Sequence, residues 1–224
     1  DQLVVHHFYS LGATDDGKGL VSEHTLTALQ ALDSGGWFDA QFAGEPKPTF
    51  RQALELCRGR TRLEIDLKGS GLGFLHQVVE EIERCDVLDD VELTTPHVPL
   101  LTRIKEINPD LRSGAFFYEP PHWMPVRLAQ KHARDWAALL QIDVLHLNVA
   151  LITADFVDEL HCRGFLVHGS NLDSPEQIQR GLRSSLDQFS TGHLGLALRL
   201  RDAFVESRPG RRGGRDEARR HPIG

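Results

Sequence analysis

The feature that most constrains the fold is a regular alternation of strand-like and helix-like segments after residue 60. Six short segments are candidate strands, at 62–68, 91–95, 112–117, 143–149, 165–170 and 187–191. Helical patterns lie between them, as in 73–85, where Leu75, Val78, Val79 and Ile82 recur at the spacing of one helix face. Repeated strand–helix units predict an α/β fold with a parallel sheet. Both a closed eight-stranded barrel and an open doubly wound sheet fit this pattern.

The chain before residue 60 also contains segments that predict a strand and helices. Residues 3–7 predict a first strand, 23–32 a helix that ends at the Ser-Gly-Gly of 34–36, and 50–57 a short helix. Further along, a stripe of apolar residues predicts a helix over 97–107. The sequence Ser174-Pro175-Glu176-Gln177 is a helix start, because Ser can cap, Pro suits the first helical position and Gln follows three residues after the cap.

Composition limits the kinds of protein that this chain can be. Its 224 residues are 40% hydrophobic and 25% charged, which is typical of one large globular domain. The net charge of −7 argues against a general nucleic-acid binder. Three cysteines without a CxxC motif favour reduced thiols, and we expect a cytoplasmic location. No apolar run approaches the roughly 20 residues of a membrane span.

The last seventeen residues differ from the rest of the chain. Residues 208–224 contain six Arg, two acidic residues and several Gly and Pro, with little apolar surface to bury. This composition predicts a disordered basic tail after a barrel domain at 1–207. A weak contact with a polyanion is the alternative to a simply solvated tail.

The strand within 62–68 has an unusual charged face. Its apolar residues Leu63, Ile65 and Leu67 alternate with Glu64, Asp66 and Lys68. Strands of a parallel sheet that is covered on both faces are normally apolar throughout. A charged face is explained in a β/α barrel, where the ends of the strands form the floor of the active site.

Asp66 and Lys68 lie at the end of this strand and share one face. A carboxylate there can bind a hard cation, and the neighbouring ammonium can hold a phosphate oxygen. A buried ion pair that only fixes local structure explains the same pattern. At the end of the predicted first strand stand His6 and His7, and a histidine can transfer protons near neutral pH. Together these residue types suit metal-assisted phosphoester hydrolysis.

The sequence resembles the glycerophosphodiester phosphodiesterase family in ordered motifs over roughly residues 1–195. The motifs that carry the resemblance are VVHHF, TDDGKGLV, TLTALQALDSGGWF, GEPKPTF, LEIDLK and ITADFVDELHCRGFLVH. They are similar to the family's VV-x-His-Asp strand, its Thr-rich loop with Gly, its Leu-Asp-x-Gly helix, its Pro-Thr-Leu helix, its Ile-Glu-x-Lys strand and a late helix and strand.

The resemblance implies a TIM barrel that hydrolyses glycerophosphodiesters, as part of glycerophospholipid metabolism, to glycerol 3-phosphate and an alcohol. It implies a bound divalent cation, Mg²⁺ or Ca²⁺, and histidine acid–base catalysis. His7 matches the family's catalytic His, and Asp66 matches a metal-binding Glu. Lys68 matches the Lys that faces the phosphate, so it is expected to bind substrate and to take part in catalysis. The expected partner is a small glycerophosphodiester, without nucleic acid or a membrane span.

Several positions depart from the family pattern. Phe8 replaces the Asp that follows the catalytic His, and Asp66 is one methylene shorter than Glu. Ser170 and Asn171 stand where the family has Trp and Thr, and Gly192 replaces the Asp of a final Thr-Asp.

The family's His-Arg-Gly and Glu-x-Asp strands would precede the first residue of this sequence. We therefore expect a barrel that is incomplete at its N-terminus, and poor hydrolysis by residues 1–224 alone. Two alternatives stay open. One is a divergent, non-catalytic barrel that keeps at most an anion-binding pocket, and the other is an interaction module that uses the basic tail.

Overall fold

A computed structural model describes residues 2–207, which fall into two compact units. The first unit extends to Phe117 and also contains Lys131–His146, and the second contains Tyr118–Gln130 and the chain from Leu147 onward. The strands are β1 (Leu63–Asp66), β2 (Val91–Thr94), β3 (Arg112–Phe117), β4 (Val144–Asn148), β5 (Leu166–Ser170) and β6 (Gln188–Phe189). The helices are α1 (Leu26–Gln30), α2 (Phe50–Cys57), α3 (Leu72–Arg84), α4 (Val98–Ile107), α5 (Val126–Leu140), α6 (Ala154–Cys162), α7 (Pro175–Arg183) and α8 (Leu194–Glu206).

Strand order decides between the two sheet types that fit the sequence. In the first unit the order is β1-β2-β3, followed by the start of β4, and in the second unit the end of β4 is followed by β5 and β6. The pairs β1–β2, β2–β3 and β5–β6 are parallel. A doubly wound sheet reverses its strand order at a switch point, whereas a β/α barrel does not. The predicted barrel type is confirmed as an incomplete barrel, since the described residues form six strands and a full barrel has eight.

Each predicted strand after residue 60 is confirmed, and local sequence explains the elements around it. All four residues of β2 are buried, as expected of a strand that is covered on both faces. The apolar face of α3 is buried as predicted, at Leu75, Val78, Val79 and Ile82. At the start of α7, the Ser174 side chain accepts a hydrogen bond from the Gln177 backbone, and the Gln177 side chain bonds back to Ser174. This is the capping box that the sequence predicts.

The predicted first strand at 3–7 is wrong. Only Val4 forms a bridge, antiparallel to Thr49, although Val5 also donates to the carbonyl of Pro48 and Phe50 donates to Leu3. Pro46 and Pro48 carry no N–H group, so the segment opposite residues 3–7 cannot extend a ladder. The helix predicted at 23–32 is also shorter than expected. It begins after Thr25, whose hydroxyl caps Ala28, and is preceded by a 3₁₀ turn at Val21–Glu23.

Two further expectations concern the extent of the domain and membranes. The predicted basic tail at 208–224 lies outside the described residues, and a barrel domain over 1–207 stays a prediction. Within residues 2–207, each helix is too short or too polar to cross a bilayer.

Candidate active site

The charged face of β1 holds an ion pair at the end of the strand. Lys68 Nζ donates to Asp66 Oδ2 over 2.5 Å, and both side chains remain about one-third exposed, at 29% and 37%. Pairing with β2 fixes this end, because the Leu67 N–H donates to the Thr94 carbonyl and the Thr95 hydroxyl donates to the Leu67 carbonyl. The sequence therefore placed the carboxylate and the ammonium correctly beside each other. Their roles in binding a cation and a phosphate stay predictions.

A buried histidine–carboxylate pair lies in the same unit. His146, in the middle of β4, is 1% exposed, and Glu92, on β2, is 5% exposed. Their Nε2 and Oε1 atoms are 2.5 Å apart. An ionised carboxylate only accepts hydrogen bonds, so Nε2 carries the proton when Glu92 is charged. That state leaves Nδ1 as the imidazole nitrogen that can accept a proton or bind a metal.

A glycine on the intervening strand allows the pair to form. A Cβ atom at Gly114, on β3, would lie 2.6 Å from Glu92 Oε1 and 2.7 Å from His146 Nε2. Both distances are shorter than any tolerable contact. The ring of Phe116, two residues along β3, lies against the imidazole at 4.9 Å between centroids. The imidazole is thus fixed by its hydrogen bond to Glu92 and by the ring of Phe116. It lies in space that a side chain at position 114 would fill.

Glu64 adds a second carboxylate to this pair. Its backbone lies beside that of Glu92 in the β1–β2 register, and its Oε1 is 3.6 Å from His146 Nδ1. The Glu64 side chain is 33% exposed, whereas the imidazole is fully covered. Burial raises the pKa of Glu64, the charges of Glu92 and Asp66 raise it further, and His146 opposes them. The arrangement is a carboxylate–imidazole–carboxylate row in which Glu64 is the member that reaches the surface.

The sequence alone assigns no role to this row. Glu64 is one of three charged residues on its strand, and Glu92 and His146 lie within predicted strands. A signal was present, however. Glu92 in VELTT and His146 in VLHLN each stand between two apolar residues of a predicted strand, and a buried polar group requires a partner.

His7 is placed differently from these residues. It is exposed, and its ring packs edge-on against Phe8 with centroids 4.4 Å apart. Within the described part of the chain, no hydrogen bond or ion pair joins His7 to Asp66 or Lys68. The structure therefore brings together the matched carboxylate and Lys, and the role of His7 as the catalytic His stays a prediction.

The neighbouring His6 belongs to a buried charged cluster. Lys47, which is 2% exposed, donates to Asp15 Oδ2 over 3.0 Å and to His6 Nδ1 over 3.1 Å. Because an ammonium only donates, Nδ1 is the acceptor, and His6 Nε2 donates to the Ser10 carbonyl over 3.1 Å. This cluster fixes the backbone directly before His7.

Backbone hydrogen bonds complete the cluster around Asp15. Its Oδ1 accepts from the N–H groups of Gly12 and Gly17, at 2.9 and 3.0 Å. Burial alone would raise the pKa of Asp15, but the bonds from Gly12, Lys47 and Gly17 outweigh it, and the pKa lies below its ordinary value. The carboxylate therefore stays charged beside Lys47.

In the second unit, the loops after β5 and β6 carry the other departures from the family pattern. Asp173 accepts hydrogen bonds from the Gly192 N–H at 2.7 Å and from the Thr191 hydroxyl at 3.2 Å. The Asn171 N–H donates to the Ser190 hydroxyl at 2.9 Å. The Asp173 carboxylate, from the loop after β5, is thus bound to Gly192 in the loop after β6. Gly192 is the position at which the family pattern has Asp.

Comparison with known proteins gives a consistent result. A model of the glycerophosphoryl diester phosphodiesterase family matches residues 1–196. The Bacillus subtilis protein YhdW is 29% identical over 153 residues, a match that covers 67% of this chain and 63% of YhdW, which is less than two-thirds of that relative. The glycerophosphodiester phosphodiesterase of Caldanaerobacter subterraneus is 25% identical over 198 residues, covering 84% of this chain and 76% of the relative.

One solved structure shows the shared fold directly. An Oleispira antarctica phosphodiesterase, in complex with its product sn-glycerol-3-phosphate, is similar with a TM-score of 0.66 and 19% sequence identity. The similarity covers 91% of this chain and 79% of that one. At this level of identity the comparison establishes the fold.

Proposed function

The chain belongs to the glycerophosphoryl diester phosphodiesterase family, and from this premise we propose that it hydrolyses glycerophosphodiesters to sn-glycerol 3-phosphate and an alcohol. The observation that carries the proposal is the Asp66–Lys68 pair at the end of β1, on residues that match the family's metal-binding and phosphate-facing positions. The Caldanaerobacter relative is named for this activity, and the Oleispira structure contains this product.

Each matched residue has a distinct task in this reaction. Lys68 releases Asp66 and donates to a non-bridging phosphate oxygen, which neutralises charge that grows in the transition state. Asp66, once released, supplies an oxygen ligand for a divalent cation, Mg²⁺ or Ca²⁺. That cation would polarise the phosphoryl group as a Lewis acid. His7 exchanges a proton with the attacking water or with the leaving alcohol oxygen.

The fit of such a cation to the described residues is partial. Asp66 provides the matched carboxylate, but the Lys68 ammonium already binds one of its oxygens. Hard cations take about six oxygen ligands. We therefore expect weak cation binding and low turnover by residues 1–224, and activity assays need a high enzyme concentration.

The test is release of glycerol 3-phosphate from glycerophosphocholine, with Mg²⁺ or Ca²⁺ added. Lys68→Met should abolish release. Lys131→Met is the matched control, because Lys131 forms an equally short 2.5 Å pair with Asp135 on the exposed face of α5. Its activity should equal that of the wild type. Absence of release from the wild-type chain at enzyme excess, or equal loss in both variants, would refute the proposal.

The non-catalytic alternative has a specific observation in its favour. Phe8, rather than an acidic residue, follows His7 and contacts its ring. In that case the chain would bind sn-glycerol 3-phosphate through Lys68 without turnover. Titration calorimetry with this compound, on wild type and Lys68→Met, separates binding from hydrolysis.

A further inference from the structure

The row formed by Glu92, His146 and Glu64 contains two atoms that are placed like two ligands of one metal ion. His146 Nδ1 and Glu64 Oε1 are 3.6 Å apart, which is longer than a normal N–H···O hydrogen bond. We propose that these two atoms bind one divalent transition-type cation, such as Zn²⁺, with Glu92 as the residue that orients the imidazole. The proposal does not depend on phosphodiesterase activity.

The separation of the two atoms suits a tetrahedral Zn²⁺ better than an octahedral Mg²⁺. Two ligand atoms that each lie about 2.1 Å from a tetrahedral ion are about 3.4 Å apart. Adjacent ligands of an octahedral Mg²⁺ at about 2.1 Å are only about 3.0 Å apart. The observed 3.6 Å is closer to the tetrahedral value. A nitrogen–oxygen donor pair likewise favours Zn²⁺ over Mg²⁺ or Ca²⁺.

Glu92 provides the outer partner that such histidines have. A metal-binding histidine usually donates its other N–H group to a carboxylate, which fixes the tautomer and increases the basicity of the ligand nitrogen. Glu92 Oε1, at 2.5 Å from Nε2, occupies this position. Gly114 keeps the path between the two side chains clear. An imidazole held in this way loses little rotational freedom when a cation binds.

The proposed centre is separate from the predicted cation position at Asp66. Glu64 precedes Asp66 by two residues, so the two backbones are about 6.6 Å apart along the strand. Asp66 is bonded to Lys68, whose positive charge opposes a second cation there. The Glu64 carboxylate faces the imidazole of His146. Its exposed edge leaves room for solvent to supply the remaining ligands.

The experiment measures cation binding without substrate. The chain 1–224 is treated with a chelator, desalted and titrated with Zn²⁺ against a competing dye, and Co²⁺ is then used as a spectroscopic probe. We expect one Zn²⁺ per chain whose binding is lost in His146→Gln and in Glu64→Gln. Glu92→Gln should weaken it by about 10–100-fold. Millimolar Mg²⁺ should not displace it, and the Co²⁺ spectrum should be that of a tetrahedral site.

A control variant tests whether any histidine beside a carboxylate binds the ion. His161→Gln removes a partly exposed histidine whose Nε2 lies 2.9 Å from Asp187. This variant should bind Zn²⁺ like the wild type. If His146→Gln fails to fold by circular dichroism, Glu64→Gln decides the question, because the Glu64 side chain is partly exposed.

Three outcomes would overturn the proposal. They are absence of Zn²⁺ binding by the wild type, unchanged binding in Glu64→Gln, and equal competition by Mg²⁺. Failure of the phosphodiesterase assay would leave this result standing, since no substrate enters the measurement.

Discussion

Nε2 of His146 lies 2.5 Å from Oε1 of Glu92, although the two residues are 54 positions apart in the chain and both are almost fully buried. The two side chains meet over β3 at Gly114, which has no side chain to stand between them. The contact therefore depends on the alignment of β2, β3 and β4. A single added carbon atom at position 114 would disturb it.

Gly114→Ala should destabilise the protein by about 1–3 kcal/mol, the usual effect of overpacking a tight interior. Its Cβ would force Glu92 and His146 apart, since it would lie 2.6 and 2.7 Å from their polar atoms. Urea denaturation measures the change. Gly73→Ala, at a helical position with no atom within 4 Å of the added Cβ, is the control and should be neutral or stabilising by up to about 1 kcal/mol. Equal stability of the two variants would contradict the close contact.

Lys47→Met should be among the most damaging single substitutions in the first unit. It leaves the Asp15 carboxylate, whose side chain is fully covered, without its countercharge, and breaking a buried pair in this way costs about 3–5 kcal/mol. Thermal and urea denaturation test the prediction. Lys131→Met removes an exposed pair and should cost at most about 1 kcal/mol. Similar losses in both variants would show that the Asp15–Lys47 pair is not buried in solution.

Local patterns in the sequence predicted the elements that depend on neighbouring residues. The buried face of α3 and the cap at Ser174 follow from spacings of three and four residues. The Asp66–Lys68 contact follows from two residues that share one face of a strand. These three features depend only on residues that are close together in the sequence.

The contacts that could not be predicted join distant segments. Asp15 and Lys47 are 32 residues apart, and their pairing depends on the course of two loops. The Glu92–His146 pair depends on the order and register of β2, β3 and β4. The predicted strand at 3–7 is wrong because Pro46 and Pro48 prevent the opposite segment from forming a ladder.

The pH dependence of stability should show the contribution of Asp15. Its pKa in the folded protein lies below the ordinary value of 3.8, because the bonds from Gly12, Lys47 and Gly17 outweigh burial. The stabilisation is therefore present above pH 3.8 and is lost as the pH falls through the folded pKa. The stability difference between wild type and Asp15→Asn should be constant near pH 6 and should shrink below pH 3.8. A difference that grows toward acid pH would be inconsistent with this carboxylate being charged in the folded state.

The stability contributed by Glu64 should change with pH in the opposite direction to that contributed by Asp15. Burial raises its pKa above the ordinary 4.5, with help from Glu92 and Asp66 and against the effect of His146. Below pH 4.5 the carboxyl is protonated in both the folded and the unfolded chain. As the pH rises through the folded pKa, the unfolded chain has already released its proton, so the wild type loses stability that Glu64→Gln retains. In chelator-containing buffer, the stability of the wild type minus that of Glu64→Gln should therefore fall with rising pH and then level off.

Glu81→Gln supplies the control for this slope. The hydrogen bond from Arg51 lowers the pKa of Glu81, so the corresponding difference for Glu81 should rise with pH over the acid range. Urea denaturation of the three proteins at intervals of half a pH unit measures both slopes under the same conditions. If the Glu64 and Glu81 differences rise together, Glu64 is not held in a desolvated row beside Glu92. In that case the 3.6 Å approach of its carboxylate to His146 does not persist in solution.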